Sequence, residues 1–184
     1  MGERPIALVT GASMGLGAEF ARLLASEGYD LVLTARSGER LATLKKEIEN
    51  LHGVEVRVLV ADLADPRAPQ AIFEHIRAAR VEIDVLVNNA GFGMYGKFAD
   101  SNLETEMEMI QVNIIALMHL TKLFMREMIA LGRGRIVNVA STAAFQAGPM
   151  QSVYYASKAF VLSFSEAIGN ELKGTGITVT ALCP

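Results

Sequence analysis

The chain has 184 residues, 51% of them hydrophobic and 20% charged, with a formal net charge of −3. That length fits one domain, and the apolar content excludes intrinsic disorder. Seventeen Lys and Arg face twenty Asp and Glu with no long basic run, so nothing neutralises a phosphate backbone and nucleic acid is not an expected partner.

In chain order, strands are predicted at 6–9, 31–34, 54–60, 83–87, 135–139 and 177–182. Helices are predicted at 16–27, 39–51, 68–79, 103–130 and 152–173. Several strand segments are continuously apolar, as strands covered on both faces are. Gly28, Gly53 and Gly132 stand where helices should stop, and Gly174 and Gly176 precede the last strand. Regular strand–helix alternation means right-handed βαβ units in one doubly wound α/β domain, a parallel sheet layered between helices. One cysteine forms no internal disulfide, and His52, His75 and His119 do not cluster as metal ligands. The start, Met1-Gly2-Glu3-Arg4-Pro5, has no apolar secretory segment. The longest uncharged run, 136–157, is interrupted by polar residues and by Pro149, so no membrane span and a cytoplasmic location are expected.

Ligands of such folds sit beyond the carboxyl ends of the strands. There the first strand runs into Thr10-Gly11-Ala12-Ser13-Met14-Gly15-Leu16-Gly17, a glycine-rich turn opening a helix. Glycines allow positive φ and close backbone approach, and the helix N-terminus presents free N–H groups to a pyrophosphate. This predicts a nucleotide site at Gly11, Ser13, Met14, Gly15, Leu16 and Gly17; the alternative is a tight strand-to-helix turn that holds no ligand. The second strand ends in Arg36, where NAD-binding turns usually carry a carboxylate for the ribose. Arg36 is either a bidentate clamp for the 2′-phosphate of NADP or a solvated surface residue; NADP(H) is favoured and NAD(H) remains open. Asp62, followed by Leu63, either accepts from an adenine amino group or caps the next turn.

The fourth strand leads into Asn88-Asn89-Ala90-Gly91, the fifth ends at Ser141, and Tyr154 and Lys158 stand at i and i+4 at the start of a helix. Together with Asn113, these pieces resemble the short-chain dehydrogenase/reductase family in order and placement over nearly the whole chain. The resemblance implies a Rossmann-like, three-layer α/β/α fold with strand order 3-2-1-4-5-6. It implies an NAD(P)-dependent oxidoreductase interconverting a carbonyl and an alcohol, with Ser141, Tyr154, Lys158 and Asn113 as its catalytic set. Asn89, Ala90, Gly91, Tyr154 and Lys158 join the cofactor site on the same basis. In this scheme a tyrosine, whose phenol ordinarily has a pKa of ~10, exchanges the proton, and a neighbouring lysine cation stabilises the phenolate. Ser141 holds the substrate oxygen, and Asn113 supports Lys158 through a water-linked path; otherwise Asn113 is a buried, backbone-bonded polar residue. Tyr155 competes with Tyr154 for proximity to Lys158, and the family motif selects Tyr154. NADP-using members often carry a basic residue where this chain has Met14.

Residues 92–96 and 143–150 flank the expected site without a charged side chain, which suggests a small, weakly polar ketone or aldehyde. Met107, Met109, Met118, Met125 and Met128 are expected to pack in a core or an interface, and Cys183 to be a buried small hydrophobe. The resemblance implies a homodimer or homotetramer. It also implies that a substrate-covering C-terminal segment and a last strand follow the point where this sequence stops, leaving 177–182 as an apolar sheet edge. Two other functions remain open: a nucleotide-sensing or interaction protein without turnover, and an epimerase or dehydratase of the same family.

Overall fold

The computed structural model describes residues 4–184. Residues 1–3, where the segment read for a secretory signal begins, lie outside the described residues. Six parallel strands form one sheet: β1 Ile6–Thr10, β2 Asp30–Ala35, β3 Val56–Val60, β4 Val85–Asn88, β5 Gly134–Val139 and β6 Ile177–Leu182. Their order is β3-β2-β1-β4-β5-β6, as expected. β1 pairs with β2 on one side and β4 on the other, so the chain reverses its direction across the sheet between β1 and β4.

The connecting helices are α1 Gly15–Ser26, α2 Gly38–His52, α3 Ala68–Ala78, α4 Leu103–Ile110, α5 Leu117–Leu131 and α6 Ser152–Glu171. Ala7, Val9, Leu31, Leu33, Val85 and Val87 pack on α1 and α2, with Ala18, Ala21 and Ala25 letting α1 lie close to the sheet. Leu8, Val32, Leu86 and Ile136 face the other way onto α3 and α5, where Phe73 and Phe124 meet edge to face at 5.2 Å. Burial on both faces explains why the central strands read as continuous apolar runs.

Arg135, Thr178, Thr180 and Leu182 lie on the face of β5 and β6 opposite α5 and α6. Right-handed crossovers from β4 to β5 to β6 travel oppositely to those from β1 to β3, so α5 and α6 fall on the other face.

The predicted helix over 103–130 is interrupted. Between α4 and α5 lies a π-helical turn, Gln111–Ala116, containing Asn113. Its wider winding shifts the register of the side chains that follow, a change that apolar periodicity does not reveal. β4 begins at Val85 rather than 83, and the Asp84 carboxylate just before it accepts the Ile6 N–H at 2.9 Å. Gly53 and Gly132 terminate α2 and α5 at φ of 64° and 68°. Met109 and Met128 are core residues, whereas Met107 and Met118 are exposed. Cys183 is only partly buried, packed beside Leu117, Ala140 and Val161 just after β6.

Candidate active site

The end of β1 is tied to the end of β4 by one hydroxyl. Thr10 Oγ1 donates to the Val87 carbonyl at 3.3 Å and accepts from the Asn89 and Ala90 N–H groups, each at 3.0 Å. Asn89 Nδ2 donates back to the Thr10 and Gly11 carbonyls at 3.0 and 3.3 Å. Asn89 therefore braces the glycine turn while also lining the adjoining cleft. Gly11 has φ of 63°, and a Cβ on it would lie 2.9 Å from both Ala90 Cα and Asn89 Nδ2. A Cβ on Gly17 would overlap the Gly11 carbonyl, so this glycine lets α1 close on the turn.

Helix α1 starts with Met14 at its cap in extended conformation, with no side-chain cap and no acidic residue in the first turn. Its leading N–H groups and positive end are left for an anion. That donor set fits the pyrophosphate of a dinucleotide.

Two clefts meet at this turn, sharing Gly11, Met14, Ala90, Gly91 and Phe92. The smaller, about 260 Å³, runs past Ser13, Arg36, Asp62 and Leu63 to Glu108 and Val112. Asp62 Oδ1 accepts the Ala64 N–H at 3.0 Å, so the residue caps its turn as well as lining the cleft. Arg36 is exposed at the rim. The larger cleft, about 640 Å³, is lined by Leu16, Val139, Ser141, Gln151, Tyr154 and Lys158 among others.

Lys158 is 5% exposed and donates from Nζ to the Val139 carbonyl at 2.8 Å. Burial pushes its ammonium down to about 8, with the charge of Cys183 opposing the shift. Nζ lies 5.8 Å from the centre of the Tyr154 ring. Ser141 follows β5, and its Oγ accepts the Ala143 N–H at 3.2 Å, leaving its own proton to donate. Tyr155 lies edge to face on Tyr154 at 6.1 Å, packs against Gly148 and is absent from the cleft wall.

Asn113 is buried and fully engaged. Its Nδ2 donates to the Phe92 carbonyl and Ser157 Oγ at 2.9 and 3.0 Å, while its Oδ1 accepts the Phe92 N–H at 3.1 Å. It thus pins the loop after β4 to α6. A Cβ on Gly91 would stand 3.0 Å from Asn113 Oδ1 and 3.4 Å from Lys158 Nζ, so the two side chains converge on that glycine.

Several contributors have little or no local signature in the sequence. Gly93 lies against the Tyr154 ring, and Arg40 lines the smaller cleft beside Arg36. Behind the site, Asn88 Nδ2 donates to Thr121 Oγ1 and Asn138 Oδ1, and Asn138 Nδ2 donates to Ser165 Oγ, each at 2.9 Å. This buried chain joins β4, β5, α5 and α6; two asparagines inside apolar strands are the signal that could have found it. Among the described residues there is no cluster of three or more potential metal ligands, and no helix is long and apolar enough to cross a membrane.

The family model described as short chain dehydrogenase matches residues 5–184. The chain is 36% identical over 177 residues to the ketoacyl reductase HetN of Nostoc sp., covering 96% of this chain and 61% of that protein. The short-chain dehydrogenase from Sphingobium yanoikuyae in complex with NADPH superposes with a TM-score of 0.92 at 39% identity, over 98% of this chain and 70% of that one. The bulky-bulky ketone specific alcohol dehydrogenase from Comamonas testosteroni gives 0.93 at 33% identity, over 98% and 72%. The chain thus spans between 61% and 72% of the lengths of these three relatives.

Proposed function

Because this chain belongs to the short-chain dehydrogenase family, we propose that it is an NADP(H)-dependent oxidoreductase interconverting a ketone or aldehyde and the corresponding alcohol. The observation that carries this reading is the meeting of Ser141, Tyr154 and Lys158 in a cleft continuous with the uncapped start of α1. The NADPH bound to the Sphingobium yanoikuyae relative supports the cofactor choice.

When bound, the reduced nicotinamide supplies a hydride to the carbonyl carbon. Tyr154 gives its phenolic proton to the oxygen that becomes negative, and Ser141 donates a hydrogen bond to the same oxygen. The Lys158 ammonium, 5.8 Å from the ring, stabilises the negative charge growing on Tyr154 by about 3 kcal/mol at an effective dielectric of ~20. Its hydrogen bond to Val139 holds that charge in place. Lys158 is the one charged side chain among the described residues lining the larger cleft, whose wall also includes Leu16, Phe92, Val139 and Ala140. A weakly polar carbonyl compound suits such a wall better than a polyanion.

The reading extends to self-association as a homodimer or homotetramer. Leu103, Met107, Ile115, Met118 and Phe160 expose apolar surface along the α4–α5 rod and α6, and sedimentation velocity measures the resulting mass. It extends also to a cytoplasmic location, since a lone cysteine needs no oxidising compartment.

Loss of nicotinamide absorbance with a panel of ketones and aldehydes tests the activity. Tyr154→Phe is expected to cost roughly 10²–10⁴-fold in kcat while NADPH still binds. Turnover at the unmutated rate by that variant refutes the mechanism.

A further inference from the structure

The smaller cleft contains a second arginine with no assigned task. We infer that Arg40 is the partner of Arg36 in recognising the 2′-phosphate of NADP(H), and that it sets the preference over NAD(H). This assignment rests on the cofactor reading above.

Arg4, Arg22, Arg57, Arg67 and Arg133 each lie within 4.0 Å of a carboxylate. Among the described residues Arg36, Arg40, Arg77, Arg80, Arg126 and Arg135 have no such partner, and of these six only Arg36 and Arg40 line the smaller cleft. Arg40 occupies the first turn of α2, behind the Ser37 cap whose Oγ accepts its N–H at 3.4 Å. A cation at a helix N-terminus opposes the macrodipole, so the position is unfavourable until an anion arrives. Glu39 shares that turn but makes no ion pair with Arg40.

The guanidinium reaches across to the glycine turn. Nη1 lies 3.4 Å from Met14 Sδ. A thioether is a weak, neutral acceptor, so this contact positions the guanidinium while leaving its charge unspent. Arg36 at the end of β2 and Arg40 from α2 thus flank Ser37 at the rim of one cleft. A phosphate monoester suits planar, bidentate donors, whereas the 2′-hydroxyl of NAD(H) offers them no charge. The cation is delivered from α2 to the space beside Met14, so a lysine at position 14 would put its ammonium in the same region.

Titration of nicotinamide fluorescence reads NADPH and NADH binding without turnover. Arg40→Met is expected to weaken NADPH binding roughly tenfold, the loss of one charge-assisted contact, with NADH binding changed less than about twofold. The affinity for NADPH should also fall less steeply with added salt than in the unmodified protein. In the Met14→Lys, Arg40→Met double variant the preference for NADPH should return. Unchanged NADPH affinity in Arg40→Met, or equal loss for both nucleotides, overturns the assignment, as does a double variant that restores nothing. An unmodified protein that binds NADH more tightly than NADPH refutes the cofactor reading itself, and with it this inference.

Discussion

Replacing Lys158 by methionine removes a buried ammonium while keeping most of the side chain's volume. Burial lowers this group from 10.5 to about 8. That difference corresponds to about 3 kcal/mol by which the folded state disfavours the charge. Below pH 8 both folded and unfolded chains hold the proton, and the whole penalty is present. Between pH 8 and 10.5 the unfolded chain still binds a proton that the folded chain has released, so stability rises with pH. By pH 9.5 about 2 of the 3 kcal/mol should be relieved. Methionine also leaves the Val139 carbonyl without its donor, a loss of about 1–3 kcal/mol that does not vary with pH. The informative quantity is therefore the stability of the unmodified protein minus that of Lys158→Met, measured by urea denaturation at pH 7 and 9.5. It should shift by about 2 kcal/mol in favour of the unmodified protein at the higher pH. Titrating groups that do not interact with Lys158 cancel in this difference. A difference that stays flat within about 0.5 kcal/mol means that Lys158 bears no burial penalty, and the reasoning fails.

Two glycines give further tests of the geometry. Alanine at Gly93 would bring a Cβ to 2.9 Å from Tyr154 Cδ2 and displace the ring. Gly93→Ala should lower kcat by roughly 10–100-fold, with NADPH binding retained; an unaltered kcat contradicts the placement of the ring. Alanine at Gly17 meets backbone, the Gly11 carbonyl, which has nowhere to go because Asn89 braces it. Gly17→Ala should cost about 2 kcal/mol in urea denaturation and weaken NADPH binding as the turn opens. A variant as stable as the parent shows that α1 does not press on the turn.

Much of this protein is legible along the chain because the relevant signals are local. Apolar runs such as 31–34 alternating with helical periods specify a parallel sheet, and β6 at Ile177–Leu182 has the predicted limits. The glycine turn, Ser141 and the Tyr154–Lys158 pair are each short-range patterns at a strand end or on one helical turn. What the sequence left open depends on distances between segments remote from one another. The contact of Arg40 with Met14 requires α2 and the β1 turn to be docked side by side. Asn113 could be read as a water-linked helper or a structural amide, and its bonds to Phe92 and Ser157 appear only once the π-helical turn brings it there. Asp62 likewise shows its bond to the Ala64 N–H only once the turn is formed. That α5 and α6 lie on the opposite face of the sheet from α1 and α2 follows from crossover direction, a property of the sheet rather than of any strand. Composition and period determine which elements form and which chemistry they carry; close packing across the sheet decides which of those groups touch.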